Sequence, residues 1–233
     1  ETAITPKTKA VIVNNPNNPS GVVYSEDIIR KIASIMDEKQ KEYGTEIYLI
    51  ADEPYRELVY DGVEVPFLTK YYDNTIVGYS FSKSLSLPGE RIGYLVIPDE
   101  VVDSKMLQSA AGVATRILGF VNAPTLMQRV VAKCLDVEVN VAAYDKNRKA
   151  LYDGLTELGF ECIKPQGAFY LWMKAPNKDE EKLVMTAKSH NILVVPGSSF
   201  ACAGYVRIAY CVSYDTIMNA LPKFALVARE LGL

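Results

Sequence analysis

Short apolar runs alternate with amphipathic stretches along the first part of the chain, and this pattern predicts an α/β protein. Four runs have the length of strands, namely Ala10–Asn14, "EIYLIAD" ending at Asp52, Thr75–Ser80 and Ile92–Ile97. We expect the Ala10–Asn14 strand to be buried on both faces, as in a mainly parallel sheet. A helix is predicted from Ser25, the expected N-cap, to Gly44, because apolar residues recur at helical spacing between them.

The pattern changes after about residue 100. Helices are predicted over 99–116, 124–135, 139–158, 179–189 and 214–231, and strands at "FECI", "AFYLWM", "ILVVP" and "YVRIAY". This segregation of helices and strands predicts a smaller α+β domain. We place the boundary near residue 137, which gives a first domain over 1–137 and a second over 138–233.

Composition and charge exclude several classes of function. The chain carries 28 acidic and 25 basic residues, a formal net charge of −3, which argues against nucleic acid as the main partner. No apolar run approaches the roughly 18 residues of a membrane span, and no signal peptide opens the chain. We therefore expect a cytoplasmic protein that does not bind membranes.

Cysteine and histidine chemistry is also limited. The four cysteines form no C-x-x-C pair and have apolar neighbours, so we expect reduced core thiols. The single histidine, His190, lies near no cysteine pair, so no metal site is predicted. A lone histidine also argues against most Ser-His and Cys-His hydrolases.

The stretch "YSFSKSLSLPGERIGY" is the first candidate for a site. Lys83 can form a Schiff base if its amine loses its proton, and Ser80 and Ser82 bring hydroxyls close to it. Arg91 supplies a guanidinium suited to phosphate, and Pro88 can turn the chain so that Arg91 faces back. A surface hairpin with incidental serines is the alternative for this stretch alone. A serine β-lactamase is rejected, because no K-T-G motif accompanies "SFSK".

Polar residues follow two other predicted strands. Asp52 ends an apolar strand, where a carboxylate requires a partner, either a structural arginine or helix cap or a protonated ring nitrogen of a ligand. Tyr55 could reach the same ligand. Three asparagines in "NNPNNPSG" also follow a strand, Asn15, Asn17 and Asn18. Arg207 lies inside the apolar run "YVRIAY" and predicts either an internal ion pair or a clamp on a substrate carboxylate.

In order and spacing, these motifs resemble the class I/II aminotransferases, which are fold-type I pyridoxal-phosphate enzymes. The family patterns are N-P-x-N-P-T-G, D-E-x-Y, S-x-S-K-x-x-x-x-x-G-x-R-x-G and a late arginine. Here they match Asn15–Gly21, Asp52–Tyr55, Ser80–Gly93 and Arg207, with Ser20 in place of the usual threonine. The resemblance implies a cofactor-binding large domain, partial in this chain, followed by a small C-terminal domain.

The resemblance also implies a role for each matched residue. Lys83 would hold pyridoxal 5′-phosphate as an internal aldimine and transfer the substrate proton. Asp52 would pair with the ring nitrogen, and Tyr55 and Asn18 would bond the ring 3-oxygen. The remaining roles are phosphate binding, by Ser80, Ser82 and Arg91, and binding of the substrate α-carboxylate, by Arg207 with Asn18 beside it.

The implied activity is amino transfer between an L-amino acid and a 2-oxo acid, in a protein that is a homodimer at full length. A C–S β-lyase or related enzyme of the same fold remains an alternative, as does a non-enzymatic regulator with an aminotransferase-like domain. Family members carry a further stretch before the N-P-x-N-P motif. We therefore expect this chain to be a C-terminal fragment that binds the cofactor poorly and turns over little.

Overall fold

The computed structural model describes residues 1–233, which form two compact units. The first unit comprises Glu1–Asn15, Tyr24–Arg56 and Glu64–Val139. The second comprises Pro16–Val23, Glu57–Val63 and Asn140–Leu233. Two short segments from the first part of the chain thus belong to the second unit, and the predicted domain boundary near residue 137 stays a prediction.

The first unit is built on a four-stranded sheet with the order β1-β2-β3-β4. Its strands are β1 Ala10–Asn14, β2 Tyr48–Asp52, β3 Thr75–Ser80 and β4 Gly93–Val96. Its α-helices are α1 Glu26–Tyr43, α2 Phe81–Ser84, α3 Ser104–Ile117 and α4 Thr125–Ala132, with short 3₁₀ turns at Leu68–Lys70 and Pro88–Glu90. The pairs β1–β2 and β2–β3 are parallel and β3–β4 is antiparallel, so the predicted mainly parallel sheet is confirmed.

One face of this sheet packs against α1. Ile29 and Met36 of α1 are buried with Val13 and Leu49 of the strands in one apolar cluster. The helix ends at Gly44, whose left-handed conformation (φ 61°) suits a residue without a Cβ. This packing follows from the helical spacing of the apolar residues.

The expectation that β1 is buried on both faces is wrong. Val13 is buried on the α1 side, whereas the side chain of Ile12, which points to the opposite face, is 69% exposed. β1 lies at the edge of the sheet order, and α1 covers only the face that carries Val13. Successive residues of a strand point to opposite faces, so the side chains of Ile12 and Val13 meet different surroundings.

β4 approaches β3 closely at Gly93, which pairs with Ser80. A Cβ atom added to Gly93 would lie 2.3 Å from the main-chain oxygen of Tyr79. Only glycine lets the two backbones come this close. Gly93 therefore fixes the position of β4 beside the end of β3.

The second unit has a four-stranded antiparallel sheet with the order β5-β6-β8-β7. Its strands are β5 Cys162–Ile163, β6 Tyr170–Lys174, β7 Val195–Pro196 and β8 Tyr205–Ala209. Its α-helices are α5 Val141–Glu157, α6 Glu180–Ser189 and α7 Tyr214–Leu231, with 3₁₀ turns at Pro176–Lys178 and Gly197–Phe200. The predicted α+β character of this part is confirmed.

A buried arginine ties the segment 57–63 to α5. Arg148 is 1% exposed and donates two hydrogen bonds to the Asp61 carboxylate, at 2.8 and 3.0 Å. It also donates to Asp145 at 2.8 Å and to the main-chain oxygen of Pro165 at 2.8 Å. The hydrogen bonds from Arg148 lower the pKa of Asp61 to about 2. The guanidinium is thus fully occupied by partners within the second unit.

Two further sequence-based expectations can be compared with the structure. The four cysteines are free thiols, but Cys202 and Cys211 are exposed and none belongs to the buried core, so the expectation of core thiols is wrong. Apolar neighbours in the sequence misplaced these two residues in the core, because both lie in exposed loop segments that flank β8. None of the helices combines the length and apolar character needed to cross a bilayer.

We predict that Arg148→Met lowers the free energy of unfolding of the second unit by about 3 kcal/mol, because it removes the four hydrogen bonds that the buried guanidinium donates to Asp61, Asp145 and Pro165. Lys149→Met is the matched control, since Lys149 pairs with the same Asp145 at the surface and its loss should cost less than about 1 kcal/mol. Urea unfolding followed by the fluorescence of Trp172, the only tryptophan and a β6 residue, measures both. Equal effects of the two substitutions would contradict the prediction.

The same pair gives a pH dependence. The pKa of Asp61 is lowered from 3.8 to about 2 in the folded chain. Its ionised form therefore adds stability above pH 3.8, and this contribution disappears as the pH falls toward 2. The stability difference between wild type and Arg148→Met should shrink over that interval.

We predict that Gly93→Ala destabilises the first unit by about 1–3 kcal/mol, because the new Cβ would collide with a main-chain oxygen. Gly89→Ala is the control from the same motif, since a Cβ there meets no atom within 4 Å. Thermal unfolding followed by far-ultraviolet circular dichroism compares the two. A Gly93→Ala chain as stable as Gly89→Ala would show that the close approach carries no constraint.

Candidate active site

Asp52 is the last residue of β2 and is held by an asparagine of the neighbouring strand. Asn14 is its register partner at the end of β1. The Asn14 side-chain nitrogen donates to Asp52 Oδ2 at 2.9 Å and to the Asp52 main-chain oxygen at 3.1 Å. Neither a structural arginine nor a helix cap bonds the carboxylate. The Asp52 carboxylate is therefore bound by an asparagine, and not by the arginine or helix cap that the sequence left open as structural partners.

The pKa of Asp52 is raised, chiefly because the surrounding protein removes water from the carboxylate. The hydrogen bond from Asn14 opposes this rise, and the negative charge of Glu53 adds to it. The carboxylate has no cation among its perturbing groups. A cationic ligand group at this position would favour the ionised form of Asp52.

The turn after Asp52 is fixed by an internal ion pair. The carboxylate of Glu53, a buried residue, accepts two hydrogen bonds from Arg56, at 2.7 and 2.9 Å. Arg56 also donates to the main-chain oxygens of Val65 and Pro66 and stacks on Phe67. The Tyr55 side chain is buried in this turn. Glu53 and Arg56 therefore hold the segment that carries Asp52 and Tyr55.

Ser80, Ser82 and Lys83 lie where β3 passes into α2. Ser80 is the N-cap of α2, and its hydroxyl accepts from the Ser82 main-chain nitrogen. The two serine hydroxyls are hydrogen-bonded to each other at 2.7 Å. The Lys83 amine lies 5.6 Å from the centre of the Tyr55 ring, which joins two of the predicted residues.

Arg91 follows the 3₁₀ turn Pro88–Glu90 and is exposed. Its backbone is left-handed (φ 52°), and its guanidinium donates to the main-chain oxygen of Pro88 at 2.9 Å. The side chain thus turns back onto its own loop, and it contacts neither serine. Two residues later, Gly93 pairs with Ser80, so the loop leaves and rejoins the sheet at the end of β3.

In the second unit, Asn18 and Arg207 are brought together. Arg207 Nη1 donates to Asn18 Oδ1 at 2.8 Å. Arg207 lies on β8, and the turn before Asn18 is closed by Asn17, whose side chain accepts from Ser20. Asn17 therefore has a structural role.

Asn15, a residue of the first unit, is also buried, and its side-chain oxygen accepts a hydrogen bond from the main-chain nitrogen of Tyr24.

Arg207 is enclosed by aromatic rings instead of by an internal carboxylate. The carbon of its guanidinium lies 4.3 Å from the centre of the Tyr170 ring and 4.8 Å from that of Phe200. Its Nε atom is buried and has no hydrogen-bond partner. The internal ion pair that sequence alone left open for Arg207 is therefore absent. Its positive charge is positioned by cation–π contacts and by Asn18.

The loop that carries Phe200 is fixed by a carboxylate that sequence analysis missed. Glu180 accepts from the main-chain nitrogens of Ser198, Gly204 and Tyr205, at 3.1, 2.7 and 3.3 Å. Its hydrogen bonds with Ser198 are the main cause that lowers its pKa. Glu180 thus connects the start of α6 to the loop before β8. Its position as a second acid after Asp179 resembles any helix start, so sequence offers no signal of this role.

Asn14 is the other residue that sequence analysis missed. The sequence does carry an indication of this contact, because Asn14 and Asp52 are the polar residues that end two apolar runs. Parallel strands that end together bring such residues side by side. The pairing register places the side chain of Asn14, rather than that of one of the three asparagines after it, beside the Asp52 carboxylate.

The residues of the first unit fit pyridoxal 5′-phosphate in their chemistry. A carboxylate without a protein cation, Asp52, suits a protonated ring nitrogen. Hydroxyls at Ser80 and Ser82 can donate to a phosphate, and Arg91 adds a permanent positive charge. Lys83 is a primary amine beside an aromatic ring, and an amine is the group that forms a covalent bond with an aldehyde.

A family model described as aminotransferase class I and II matches residues 1–224. The probable aspartate/prephenate aminotransferase of Thermus aquaticus is 34% identical over 231 residues, which cover 96% of this chain and 57% of that protein. An amino transferase structure from Eubacterium rectale, 49% identical, superposes with a TM-score of 0.96 over 100% of this chain and 58% of that one. Aspartate aminotransferase from Thermus thermophilus with maleate, 32% identical, gives 0.84 over 97% and 58%.

The chain thus spans less than two thirds of the length of these relatives. The match nevertheless extends over nearly all of its own residues and over both units. The predicted resemblance and the predicted fold class are confirmed: this chain belongs to the class I and II aminotransferase family.

Proposed function

We propose that the protein containing this chain is a pyridoxal-phosphate-dependent aminotransferase that moves an amino group between an L-amino acid and a 2-oxo acid. The observation that carries the proposal is the pair of unsatisfied charge sites. Asp52 is a partly desolvated carboxylate without a cation, and Arg207 is a guanidinium without an anion. Charges left in this state favour ligands of the opposite sign.

The first unit would hold the cofactor. When bound, pyridoxal phosphate supplies an aldehyde for amino groups and a ring that accepts electron density from the substrate Cα. Lys83 would hold it covalently, and Asp52 would keep a proton on the ring nitrogen. Tyr55 would donate from its hydroxyl to the ring 3-oxygen, with Asn18 of the second unit assigned to the same atom. The phosphate would be bound by Ser80, Ser82 and Arg91.

The second unit would supply carboxylate recognition. The planar guanidinium of an arginine such as Arg207 can bind both oxygens of a carboxylate. One of its nitrogens is engaged by Asn18, and the buried Nε has no partner in the protein. A carboxylate oxygen could accept from that Nε. The rings of Tyr170 and Phe200 lie close to the guanidinium and restrict its movement, which favours a fixed orientation of the substrate.

Proton transfer at the substrate Cα is assigned to Lys83. Its amine, once free and unprotonated, can take the proton from Cα of the donor amino acid. It can later give a proton to Cα of the amino acid that forms from the 2-oxo acid. The buried Tyr55 ring lies beside this amine, with its centre 5.6 Å away. Relatives are named as aspartate/prephenate and aromatic-amino-acid aminotransferases, so aspartate and aromatic amino acids are the donors to test first.

We also propose a cytoplasmic homodimer. Free cysteines, two of them exposed, suit a reducing compartment. Apolar side chains exposed on α3 and β4 support association, among them Met106, Val113, Ile117 and Leu95. Sedimentation equilibrium of the intact protein tests the oligomeric state, and a monomer would contradict a dimer.

The proposed activity predicts that the intact protein, expressed from its complete coding sequence and given pyridoxal phosphate, converts 2-oxoglutarate to glutamate in the presence of a donor amino acid. Lys83→Ala should lower the rate at least about a hundredfold, the usual contribution of a positioned acid–base group. Lys31→Ala, which removes an exposed lysine of α1 in the same unit, is the control and should leave the rate unchanged.

Product analysis separates amino transfer from the alternatives. Release of ammonia and pyruvate from cystathionine without a 2-oxo acid would favour the C–S β-lyase and contradict amino transfer. Cofactor binding without turnover of any amino acid would favour the regulator. A Lys83→Ala protein as active as Lys31→Ala would contradict the role of Lys83.

A further inference from the structure

We infer that Asn14 is a positioning residue for the cofactor ring, acting through the carboxylate of Asp52. The inference rests on the proposed function, because that function gives Asp52 its partner. Asn14 itself would touch neither cofactor nor substrate. Its amide holds one carboxylate oxygen, Oδ2, and leaves the other, Oδ1, for the ligand.

The geometry carries this inference in two ways. Asn14 donates to Oδ2 and to the main-chain oxygen of the same residue, so one amide group joins the side chain of Asp52 to its own backbone. Asn14 and Asp52 are also register partners at the ends of two parallel strands, and the main-chain nitrogen of Asn15 donates to Asp52 at 3.2 Å. The sheet therefore fixes the distance between donor and acceptor.

The hydrogen bond from Asn14 opposes the groups that raise the pKa of Asp52. Partial burial and the neighbouring carboxylate of Glu53 both raise the pKa of Asp52, and the Asn14 amide lowers it. An amide cannot lose its donor protons at physiological pH, so it stabilises the carboxylate without competing for the ring proton. A lysine or arginine in its place would repel a protonated ring nitrogen. An asparagine therefore orients Asp52 and keeps it ionised without neutralising it.

A carboxyl titration of the intact apoprotein tests the contact without the cofactor. Aspartate is labelled with ¹³C at the side-chain carboxyl, and Asp52→Asn identifies the signal. Asn14→Ala should move the pKa of Asp52 upward, and Asn14→Asp should move it further, because a second negative charge then faces it. An unchanged Asp52 titration in both variants would overturn the inference.

The holoprotein tests the link to the ring. With ¹⁵N-labelled pyridoxal phosphate, the ring-nitrogen shift of the wild type should be that of a protonated nitrogen. In Asn14→Ala, measured at high pH, the ring-nitrogen shift should move toward that of an unprotonated nitrogen. The affinity for the cofactor should fall about tenfold, the typical loss for a hydrogen bond to a charged group. A change in the Asp52 titration with no change in ring-nitrogen shift or affinity would overturn the positioning role.

A double-mutant cycle separates positioning from general destabilisation. In an Asp52→Ala background, Asn14→Ala should have no further effect on cofactor affinity, because its partner is gone. An equal loss in both backgrounds would show a merely structural role and overturn the inference. If the wild type does not bind pyridoxal phosphate at all, the proposed function fails, whereas the apoprotein titration still decides whether Asn14 controls Asp52.

Discussion

Parallel pairing of β1, β2 and β3 is the constraint on which the candidate site of the first unit depends. It brings the last residues of β1 and β2, Asn14 and Asp52, into one register and sets the end of β3 beside them. Polar groups collect at the carboxyl ends of parallel strands because the chain leaves the apolar sheet there. Without this register, the Asp52 carboxylate would have no group to orient it. The loop after α2 then returns the chain to the end of β3, where the antiparallel strand β4 begins at Gly93.

In the second unit, Arg207 is held in place without an acidic side chain beside it. Arg207 is enclosed by Tyr170 and Phe200, which attract the cation without neutralising it. Arg148 shows the opposite solution in the same unit, because Asp61 and Asp145 neutralise it. The contrast distinguishes an arginine that serves the structure from one that is available to an anionic ligand.

Sequence reasoning located most of the architecture, because its signals are local. The strands Ala10–Asn14 and Thr75–Ser80 and the helix Tyr214–Leu231 end where the apolar pattern ends. The features that it missed are produced by tertiary contacts. The exposure of Ile12 follows from its place on the sheet face that α1 does not cover, and the contact of Asn14 with Asp52 follows from strand register. The hydrogen bonds of Glu180 to a distant loop leave no trace in composition or periodicity.

The central claim is that Lys83 is the amine that binds the cofactor aldehyde. Borohydride reduction of the intact protein loaded with pyridoxal phosphate makes that covalent bond permanent, and mass spectrometry of the digested protein then locates the modified residue. The account predicts one modified lysine, at position 83. A modification on any other lysine, or none in a protein that retains the cofactor, would contradict it.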